Sequence, residues 1–377
     1  MKEKKVLLAI AAAIVIAAIA FSGCIKEKPE ESKVIKIGVI LPLTGDLAVY
    51  GNNIKNGIDL AVEEINNKGG IDGANITLIY KDSEGKRDKT VSAMNELASE
   101  VPVVIGAVAS SNTLAICPIA EDKKVVLISP SSTSPKLSDY KNYVFRTIPS
   151  DEYQGVALAT VVQDLGYNRV TVLFVDNDYG TGLKDAFVKS YRDRVGGNIS
   201  AIESFKEGDT DFKPMLARVK ETDPEAVVLI GYVKEGSLIL KQAKEMGMDV
   251  QWICSEALKS DEFIALSGDC SEGALATFPI STVAGPATEA FKEAYNTRYN
   301  SEPGIYADYG YDTMMVIAEA IKKGGYNADG IRDALREIRY AGVSGAKIFD
   351  ENGDVPPAYD LWQVENGKWV LKSKFAI

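Results

Sequence analysis

Short polar stretches follow several strand-like segments of the sequence and carry the side chains best suited to chemistry. Residues 107–112 follow one such segment, and residues 130–134 follow another. Their hydroxyl groups, together with the main-chain amides at a helix start, donate hydrogen bonds to an anion such as a carboxylate. Glu256, which follows a later segment, supplies one negative charge that balances an ammonium group. The pattern indicates that the protein binds a small zwitterion.

Tyrosines stand at equivalent positions further along the chain. Tyr179 and Tyr232 each follow a strand-like segment, and a tyrosine offers an apolar face with a polar tip. For any single Ser, Thr or Asn in these stretches, capping of a helix or a turn is the simpler interpretation. Their joint placement favours ligand binding, because open parallel sheets bind ligands beyond the carboxyl ends of their strands.

Several other chemistries lack the residues that they need. The 377 residues include no histidine, which excludes Ser-His and Cys-His nucleophiles and histidine metal sites. The sequence 180–182 resembles the start of a dinucleotide loop, but Asp185 stands at the third glycine position. The acidic runs 176–178 and 350–354 lack the full ligand set of a calcium loop and indicate turns. We therefore predict a protein that is not an enzyme and has no cofactor and no metal.

The polar stretches belong to a pattern of alternating strands and helices that occurs twice. In the first copy a strand at 35–41 precedes a helix of period 3.6 at about 53–66 and a strand at 76–80. In the second copy a strand at 170–175 precedes a helix that extends to about 195 and a strand at 199–205. Each copy has a Tyr-Gly pair after its first strand and a Gly-Gly pair after its helix. Such alternation is typical of parallel sheets covered by helices on both faces.

The two copies continue in parallel, and the C-terminal part completes them. The matching segments are a helix at 88–100 with strands at 101–106 and 125–129, and a helix at 211–221 with strands at 226–231 and 250–254. In each copy a further helix lies between the two strands. Further along, the sequence indicates a strand at 274–278, helices at 287–299 and 311–323, and β-rich pieces near 346–349 and 360–371. This last part is too short for a third lobe, so we predict that it crosses between the other two.

The predicted fold is α/β, with two doubly wound parallel-sheet lobes joined by a multi-strand hinge. The N-terminal lobe comprises residues 34–149 and 280–353, and the C-terminal lobe comprises residues 150–279 and 354–377. The hinge crossings are expected near Ser150, Phe278 and Asp354.

The N-terminus has the pattern of an export signal. A lysine-rich start precedes the apolar run 6–21, and small residues lead to Cys24. We predict a signal peptide at 1–23, lipid attachment at Cys24 and a polar linker at 24–33; an uncleaved membrane anchor is the alternative. Removal of residues 1–23 takes away three lysines and one glutamate and changes the net charge from −11 to −13. So acidic a chain is not expected to bind nucleic acid.

Three cysteines remain beyond the N-terminus. Cys254 and Cys270 lie 16 residues apart in a compartment that permits disulfides, and a bridge between them is possible. Cys117 lies in an apolar helical pattern and is interpreted as a packed thiol.

Several motifs carry a family resemblance. They include the run 38–45, the Tyr-Gly pair at 50–51, the Ser pair at 110–111, the turn 128–133, the segment 179–182, the Gly-Tyr pair at 231–232, Ser255-Glu256 and Tyr311-Asp312. In these motifs the chain resembles the leucine/isoleucine/valine-binding proteins of ABC importers, over about residues 34–370. The resemblance implies the type I fold of periplasmic binding proteins.

The resemblance implies roles for ten residues. The implied set is Ser110 and Thr133 for the ligand α-carboxylate; the Ser131 carbonyl, the Thr133 hydroxyl and Glu256 for the α-ammonium; Tyr50, Tyr179, Tyr232, Val108 and Ala109 for the pocket walls; and Tyr306 at the cleft mouth. Ala109 stands where some relatives have a cysteine, which is a departure from the family pattern.

The resemblance also implies a function. We expect a monomeric receptor that is lipid-anchored to the outer face of the cytoplasmic membrane and carries a branched-chain amino acid to an ABC permease. No apolar span stands near Ile377, which favours a free-standing receptor over a sensory ectodomain. A sensory role, and an amide, urea or another small amino acid as ligand, are the alternatives.

Overall fold

Parallel strands form the centres of two sheets in the computed structural model, which describes residues 34–280 and 285–375. The strands of the first sheet are β1 (Val34–Leu41), β2 (Asn75–Asp82), β3 (Val103–Gly106), β4 (Val126–Ser129) and β5 (Val144–Arg146). They lie in the order β2-β1-β3-β4-β5, and every neighbouring pair is parallel. The predicted signal peptide, Cys24 and the linker lie outside the described residues.

The second sheet is larger and is not wholly parallel. Its strands are β6 (Val170–Val175), β7 (Ile199–Phe205), β8 (Ala226–Ile230), β9 (Gln251–Cys254), β10 (Leu275–Pro279), β13 (Tyr359–Glu365) and β14 (Lys368–Phe375). They lie in the order β14-β13-β10-β9-β8-β6-β7, and β13 and β14 add an antiparallel hairpin to one edge. A separate two-stranded hairpin is formed by β11 (Tyr340–Gly342) and β12 (Gly345–Lys347).

Helices connect the strands and cover the sheets. In chain order they are α1 (Ala48–Asn67), α2 (Arg87–Leu97), α3 (Ser110–Lys123), α4 (Asp151–Asp164), α5 (Asp178–Ser190), α6 (Lys213–Glu221), α7 (Val233–Glu245), α8 (Asp261–Ser267), α9 (Pro286–Tyr299), α10 (Ala307–Gly324) and α11 (Ala328–Glu337).

The first sheet buries both of its faces, as a doubly wound sheet must. Alternate residues of β1 point to opposite faces: Val39 joins a core that includes Ile58 of α1, and Ile40 joins a second core under α2 and α3. Strands of this kind lack a polar face, which explains why β3 and β4 are buried along their whole length. The predicted doubly wound architecture is confirmed.

A glycine contact brings two helices together and thereby positions the site described below. A Cβ atom on Gly57 of α1 would lie 1.8 Å from the carbonyl oxygen of Ala307, and one on Gly310 would lie 2.5 Å from that of Ile54. Only glycine permits such a close approach of the two backbones. The contact therefore sets the distance between Tyr50, which lies on α1, and the start of α10.

The chain passes between the two lobes three times, because α10 packs against α1 of the first lobe although strands of the second sheet precede and follow it in the chain. The first passage lies between β5 and α4, the second between β10 and α9, and the third between β12 and β13. These passages include or adjoin Ser150, Phe278 and Asp354. The precise residue limits of the two lobes stay a prediction.

Several element boundaries differ from those expected. The helices expected at 53–66 and 311–323 begin earlier, at Ala48 and Ala307, because their first turns contain tyrosine and glycine that obscure the apolar period. The strand expected at 101–106 begins at Val103, and the helices expected at 88–100 and 211–221 are Arg87–Leu97 and Lys213–Glu221. The helix expected to reach residue 195 ends at Ser190 and continues as a π-turn.

Some elements were not expected at all, among them β5, α4 and α11. The strand β5 has three residues, too few for a periodic signal. The helix α11 buries Ile331 and Leu335 and begins at a cap in which the Asn327 side chain accepts a hydrogen bond from Gly330 N at 2.8 Å. Both cysteines of the suggested bridge, Cys254 and Cys270, are free.

Candidate functional site

The first lobe contributes a buried network of hydroxyl groups at the ends of β3 and β4. The main-chain amide of Ser134 donates to Ser110 Oγ at 3.2 Å, and Ser132 Oγ donates to the Val108 carbonyl at 2.9 Å. Ser131 Oγ donates to the same carbonyl at 3.3 Å. These bonds tie the start of α3 to the turn after β4, so that both turns present a fixed surface to the cleft.

Thr133 is buried at the back of this turn and holds it in place through its main chain. Its carbonyl oxygen accepts hydrogen bonds from Asp151 N at 2.9 Å and from Arg146 Nη1 at 2.8 Å. Its hydroxyl group is buried near the Asp151 carboxylate, and it makes no hydrogen bond of good geometry with the described residues. Such an unpartnered hydroxyl carries a free-energy cost unless a further group reaches it.

The second lobe contributes a buried carboxylate supported by tyrosines. Glu256 opens a short 3₁₀ turn after β9, and Tyr179 Oη donates to its carboxylate at 2.9 Å. Tyr179 lies in the first turn of α5, and its ring stacks on that of Tyr232 at a centroid distance of 5.5 Å. Burial raises the pKa of Glu256 to about 7, because a carboxylate loses its hydration in the cleft.

Tyr50 reaches from the first lobe to the second. Its hydroxyl group donates to the Ala257 carbonyl at 3.0 Å and accepts from Val233 N at 3.0 Å. Its ring lies 6.0 Å from the ring of Tyr232 and 6.0 Å from that of Tyr306. Tyr50 is therefore both a wall of the site and a link between the lobes.

The structure brings nine of the ten sequence-predicted residues to one cavity between the lobes. Its lining consists of Tyr50, Val108, Ala109, Ser110, Ser131, Tyr179, Tyr232, Glu256, Ala257 and Tyr306. The cavity volume is about 20 Å³. Thr133 is the predicted residue that does not line it, and Ala257 is the lining residue that the sequence did not indicate.

A second carboxylate next to the site was missed. Asp151, the first residue of α4, is fully buried, and neither of its carboxylate oxygens has a hydrogen-bond partner among the described residues. Burial, followed by the charge of Glu256, raises the pKa of Asp151 well above its usual value. From sequence, an acidic residue in the first turn of a helix is interpreted as a favourable end charge. No local signal places it beside Glu256.

The charges that surround the cavity favour a cationic group. Glu256 faces the cleft with Asp151 close by, and no lysine or arginine is among the residues that line the cavity. The hydroxyl-rich turns and the N-terminus of α3 lie on the opposite wall and donate hydrogen bonds. No group of three acidic or cysteine side chains with the arrangement of a metal site occurs in residues 34–280 and 285–375.

A family model described as periplasmic binding protein matches residues 34–368. The chain belongs to the periplasmic binding protein family. Among curated relatives of this periplasmic binding protein, the leucine-, isoleucine-, valine-, threonine- and alanine-binding protein of Pseudomonas aeruginosa is 32% identical over 326 residues, which cover 85% of this chain and 87% of the relative.

Solved structures agree with this membership. A leucine-binding protein of Thermotoga maritima has a TM-score of 0.85 and 31% identity, covering 90% of this chain and 98% of its own. A branched-chain amino acid transporter substrate-binding protein of Streptococcus pneumoniae was solved with isoleucine. It has a TM-score of 0.83 and 32% identity, and the match covers 91% of this chain and 99% of the Streptococcus protein. The resemblance stated from the sequence motifs, and the type I fold that it implied, are confirmed.

No helix in the described part of this periplasmic binding protein is both long and apolar enough to cross a membrane.

Proposed function

We propose that this periplasmic binding protein is the receptor of an ABC importer and holds a branched-chain α-amino acid between its lobes. The observation that carries the proposal is the buried Glu256 carboxylate, which lines a cavity that contains no lysine or arginine and faces hydroxyl groups on the opposite wall. A buried carboxylate without a counter-charge is costly, so a ligand ammonium group fits this position.

The rest of the cavity matches the other parts of such a ligand. Ser110 and the amides at the start of α3 would receive the α-carboxylate, because a helix N-terminus favours negative charge. The unpartnered Thr133 hydroxyl becomes available to the ligand if its side chain turns towards the cleft. Val108, Ala109 and the tyrosine rings then enclose an apolar side chain.

A neutral ligand suits the site less well. Urea or a simple amide brings no formal positive charge, so Glu256 would stay buried without a counter-ion. Three similar proteins at more than 30% identity support the same choice: the leucine-binding protein, the protein solved with isoleucine, and the relative named for leucine, isoleucine, valine, threonine and alanine.

Entry of the ligand requires the lobes to separate. A volume of about 20 Å³ is little more than the roughly 10–15 Å³ that one buried water molecule needs, so the described conformation is closed more tightly than an amino acid permits. We propose that the lobes open for entry and close on the ligand, which gives the permease a loaded shape to recognise.

The proposed location is the outer face of the cytoplasmic membrane, through a lipid on Cys24. This part of the proposal rests on the basic-then-apolar N-terminus and the small residues before Cys24. Fractionation of a Cys24→Ser variant tests it: unchanged membrane association would point to an uncleaved helix.

The ligand proposal is tested by calorimetry and thermal unfolding with a matched set of compounds. Leucine, isoleucine and valine are expected to bind, with a stabilisation of about 2.7 kcal/mol at 100 times Kd. 4-Methylpentanoate, which lacks the ammonium group, and 3-methylbutylamine, which lacks the carboxylate, are expected to bind at least about 100-fold more weakly, because each leaves one wall unpaired. Equal affinity for leucine and 4-methylpentanoate would rule out the assigned role of Glu256.

A further inference from the structure

A second and larger cleft lies between the lobes, beside the amino-acid cavity. Its volume is about 420 Å³, within the roughly 300–1,000 Å³ of small-molecule sites, and Tyr306 borders both spaces. The first lobe contributes the turn before α10, and the second lobe contributes Phe278 of β10 and Trp362 of β13. A ligand in this cleft would therefore contact both lobes without entering the cavity.

The wall that belongs to the second lobe holds two hydrogen-bond donors that lack acceptors. The Lys259 ammonium group lies 4.1 Å from the Trp362 ring centroid and 5.2 Å from that of Phe278, and it forms no hydrogen bond or ion pair with the described residues. The indole N–H of Trp362 is buried and has no acceptor in the same part of the chain. Burial lowers the pKa of Lys259, because its ammonium group loses hydration without gaining an acceptor. Two such donors side by side suit a carboxylate.

The wall that belongs to the first lobe holds a carboxylate without a cation in contact. Asp308, in the first turn of α10, borders the cleft and is 9% exposed. Its Oδ1 accepts a hydrogen bond from Tyr309 N at 3.0 Å, and it forms no ion pair within residues 34–280 and 285–375. Burial, followed by the charge of Asp312, raises the pKa of Asp308 to about 7. A ligand ammonium group fits beside Asp308, because it supplies the missing positive charge.

Aromatic side chains cover much of the surface between these charges. Besides Phe278 and Trp362, the cleft is bordered by Phe291 of α9 and Trp369 of β14. Flat apolar walls of this kind favour an aromatic ring, which packs on them edge-to-face or offset. The remaining acidic residues of the cleft are exposed at its rim, where water and salt screen their charges: Asp261, Glu262 and Glu302.

We propose that the larger cleft is a second ligand site, which binds an α-amino acid with an aromatic side chain. The ligand carboxylate accepts hydrogen bonds from Lys259 and Trp362, its ammonium group lies beside Asp308, and its ring packs on the aromatic walls. Of all carboxylates, Asp308 has the largest electrostatic effect on Lys259, yet the two do not pair, and they belong to different lobes. The ligand joins these two charges across the cleft and thereby favours the closed arrangement.

Phenylalanine is the probe for this site, and tryptophan fluorescence reports its binding, because Trp362 and Trp369 border the cleft. It is titrated in the presence of saturating leucine, which fills the cavity. Lys259→Met keeps an apolar stem against the rings but removes the charge, and Asp308→Asn removes the opposite charge. Each variant is expected to bind phenylalanine at least about tenfold more weakly than the wild type, while leucine affinity changes by less than about threefold.

Lys292→Met is the matched control. Lys292 borders the same cleft, but its ammonium group pairs with Glu289 at 3.3 Å, so its loss should leave phenylalanine affinity unchanged. Glu256→Gln, titrated without leucine, disables the cavity and leaves the cleft intact. Phenylalanine should still change the tryptophan fluorescence of this variant, with an affinity within about threefold of the wild type.

The outcomes separate the second site from the function proposed for the cavity. If phenylalanine binds in this way but leucine does not bind, the proposed function fails and the second site stands. If leucine binds, and phenylalanine leaves the fluorescence unchanged or binds a folded Lys259→Met protein as tightly as the wild type, the second site is overturned.

Ligand analogues decide the question on the wild type if the variants misfold. 3-Phenylpropanoate lacks the ammonium group and 2-phenylethylamine lacks the carboxylate, so each leaves one wall of the cleft unpaired. Both are expected to bind the cleft at least about tenfold more weakly than phenylalanine. Equal affinities of the three compounds would overturn the assigned contacts of Lys259 and Asp308, and the second site with them.

Discussion

At the scale of single residues, the site is built at the expense of stability. Glu256 and Asp151 are buried close together, and burial raises the pKa of both carboxyl groups. A carboxyl group whose pKa is raised on folding stabilises the folded state below its unfolded pKa, and this contribution is lost as the pH rises through the folded pKa. For Glu256 the loss extends from about pH 4.5 to about pH 7. An ammonium group bound in the cavity would offset this loss of stability.

Glu256→Gln is expected to separate stability from binding. At pH 8 the free energy of unfolding of the unliganded variant should be about 1–3 kcal/mol higher than that of the wild type, because the buried charge is gone. At pH 5, where the wild-type carboxyl group is protonated, this difference should largely vanish. Leucine affinity at pH 8 should fall at least about 100-fold, since the amide cannot balance an ammonium charge. Thermal unfolding and calorimetry measure both quantities.

Glu235→Gln is the control for this variant. Glu235 is also buried and has a raised pKa, chiefly through burial, but it does not line the cavity and accepts a hydrogen bond from Gly208 N at 2.8 Å. Leucine affinity should be unchanged in the Glu235→Gln variant. Near-native leucine binding by a folded Glu256→Gln protein would contradict the proposed role of Glu256.

At the scale of elements, a buried arginine connects the binding turn to a crossing segment. Arg146, at the end of β5, donates through Nη1 to the carbonyls of Thr133 at 2.8 Å and Ser134 at 2.9 Å. Its Nε and Nη2 donate to the two carboxylate oxygens of Asp354 at 2.6 and 2.9 Å. The planar guanidinium group makes all of these bonds at once, which an ammonium group cannot do. The turn that carries Ser131 is thereby fixed to the third passage between the sheets.

Two variants distinguish the two sides of this connection. Asp354→Asn leaves the Arg146 charge buried without its partner and should lower the free energy of unfolding by about 3 kcal/mol. Leucine affinity should change less than threefold, because Arg146 still holds the carbonyls of the turn. Arg146→Lys should lower both stability and, by about tenfold, leucine affinity, since the turn loses contacts. Chemical denaturation and calorimetry measure these effects.

An exposed arginine provides the comparison. Arg218→Lys changes a half-exposed side chain that pairs with Glu203, and it should leave both the unfolding transition and leucine affinity unchanged. If Arg146→Lys behaves like Arg218→Lys, the guanidinium group does not position the turn.

At the scale of the whole molecule, polar contacts across the cleft stabilise the closed arrangement. Besides the two hydrogen bonds of Tyr50, Lys136 Nζ lies 2.6 Å from the Asp178 carboxylate, and Asp178 N donates to Ser111 Oγ at 3.1 Å. The lysine pair is exposed and therefore weak. A ligand that touches both lobes adds to these contacts and shifts the population towards closure.

Small-angle X-ray scattering with and without leucine should detect this shift. The radius of gyration is expected to decrease at saturating leucine, because closure brings the two sheets together. Glu256→Gln at the same leucine concentration is the control and should show no change. Identical scattering curves for the wild type, with binding confirmed by calorimetry in the same sample, would favour a rigid pocket.

The sequence by itself determined the architecture and most members of the site. Alternating strands and helices specify parallel sheets, and parallel strands end at one edge, so the residues after each strand are neighbours whatever the details of packing. Ser110, Ser131 and Glu256 could be grouped for this reason, while Tyr50 and Tyr306 came from the family resemblance. Residue periodicity also predicted the main helices, because each buries an apolar stripe.

Only the tertiary structure decided which groups lack partners and which spaces adjoin. From sequence, Asp151 is an ordinary acidic residue at the start of a helix. Packing of α4 beside the turn that holds Thr133 brings it close to Glu256, which is more than one hundred residues away in the chain. The close contact at Gly57 places Tyr306 near Tyr50, and the passage through β10 brings Phe278 to the same ring. These features depend on contacts between elements far apart in the chain, and no local pattern of residue types records such contacts.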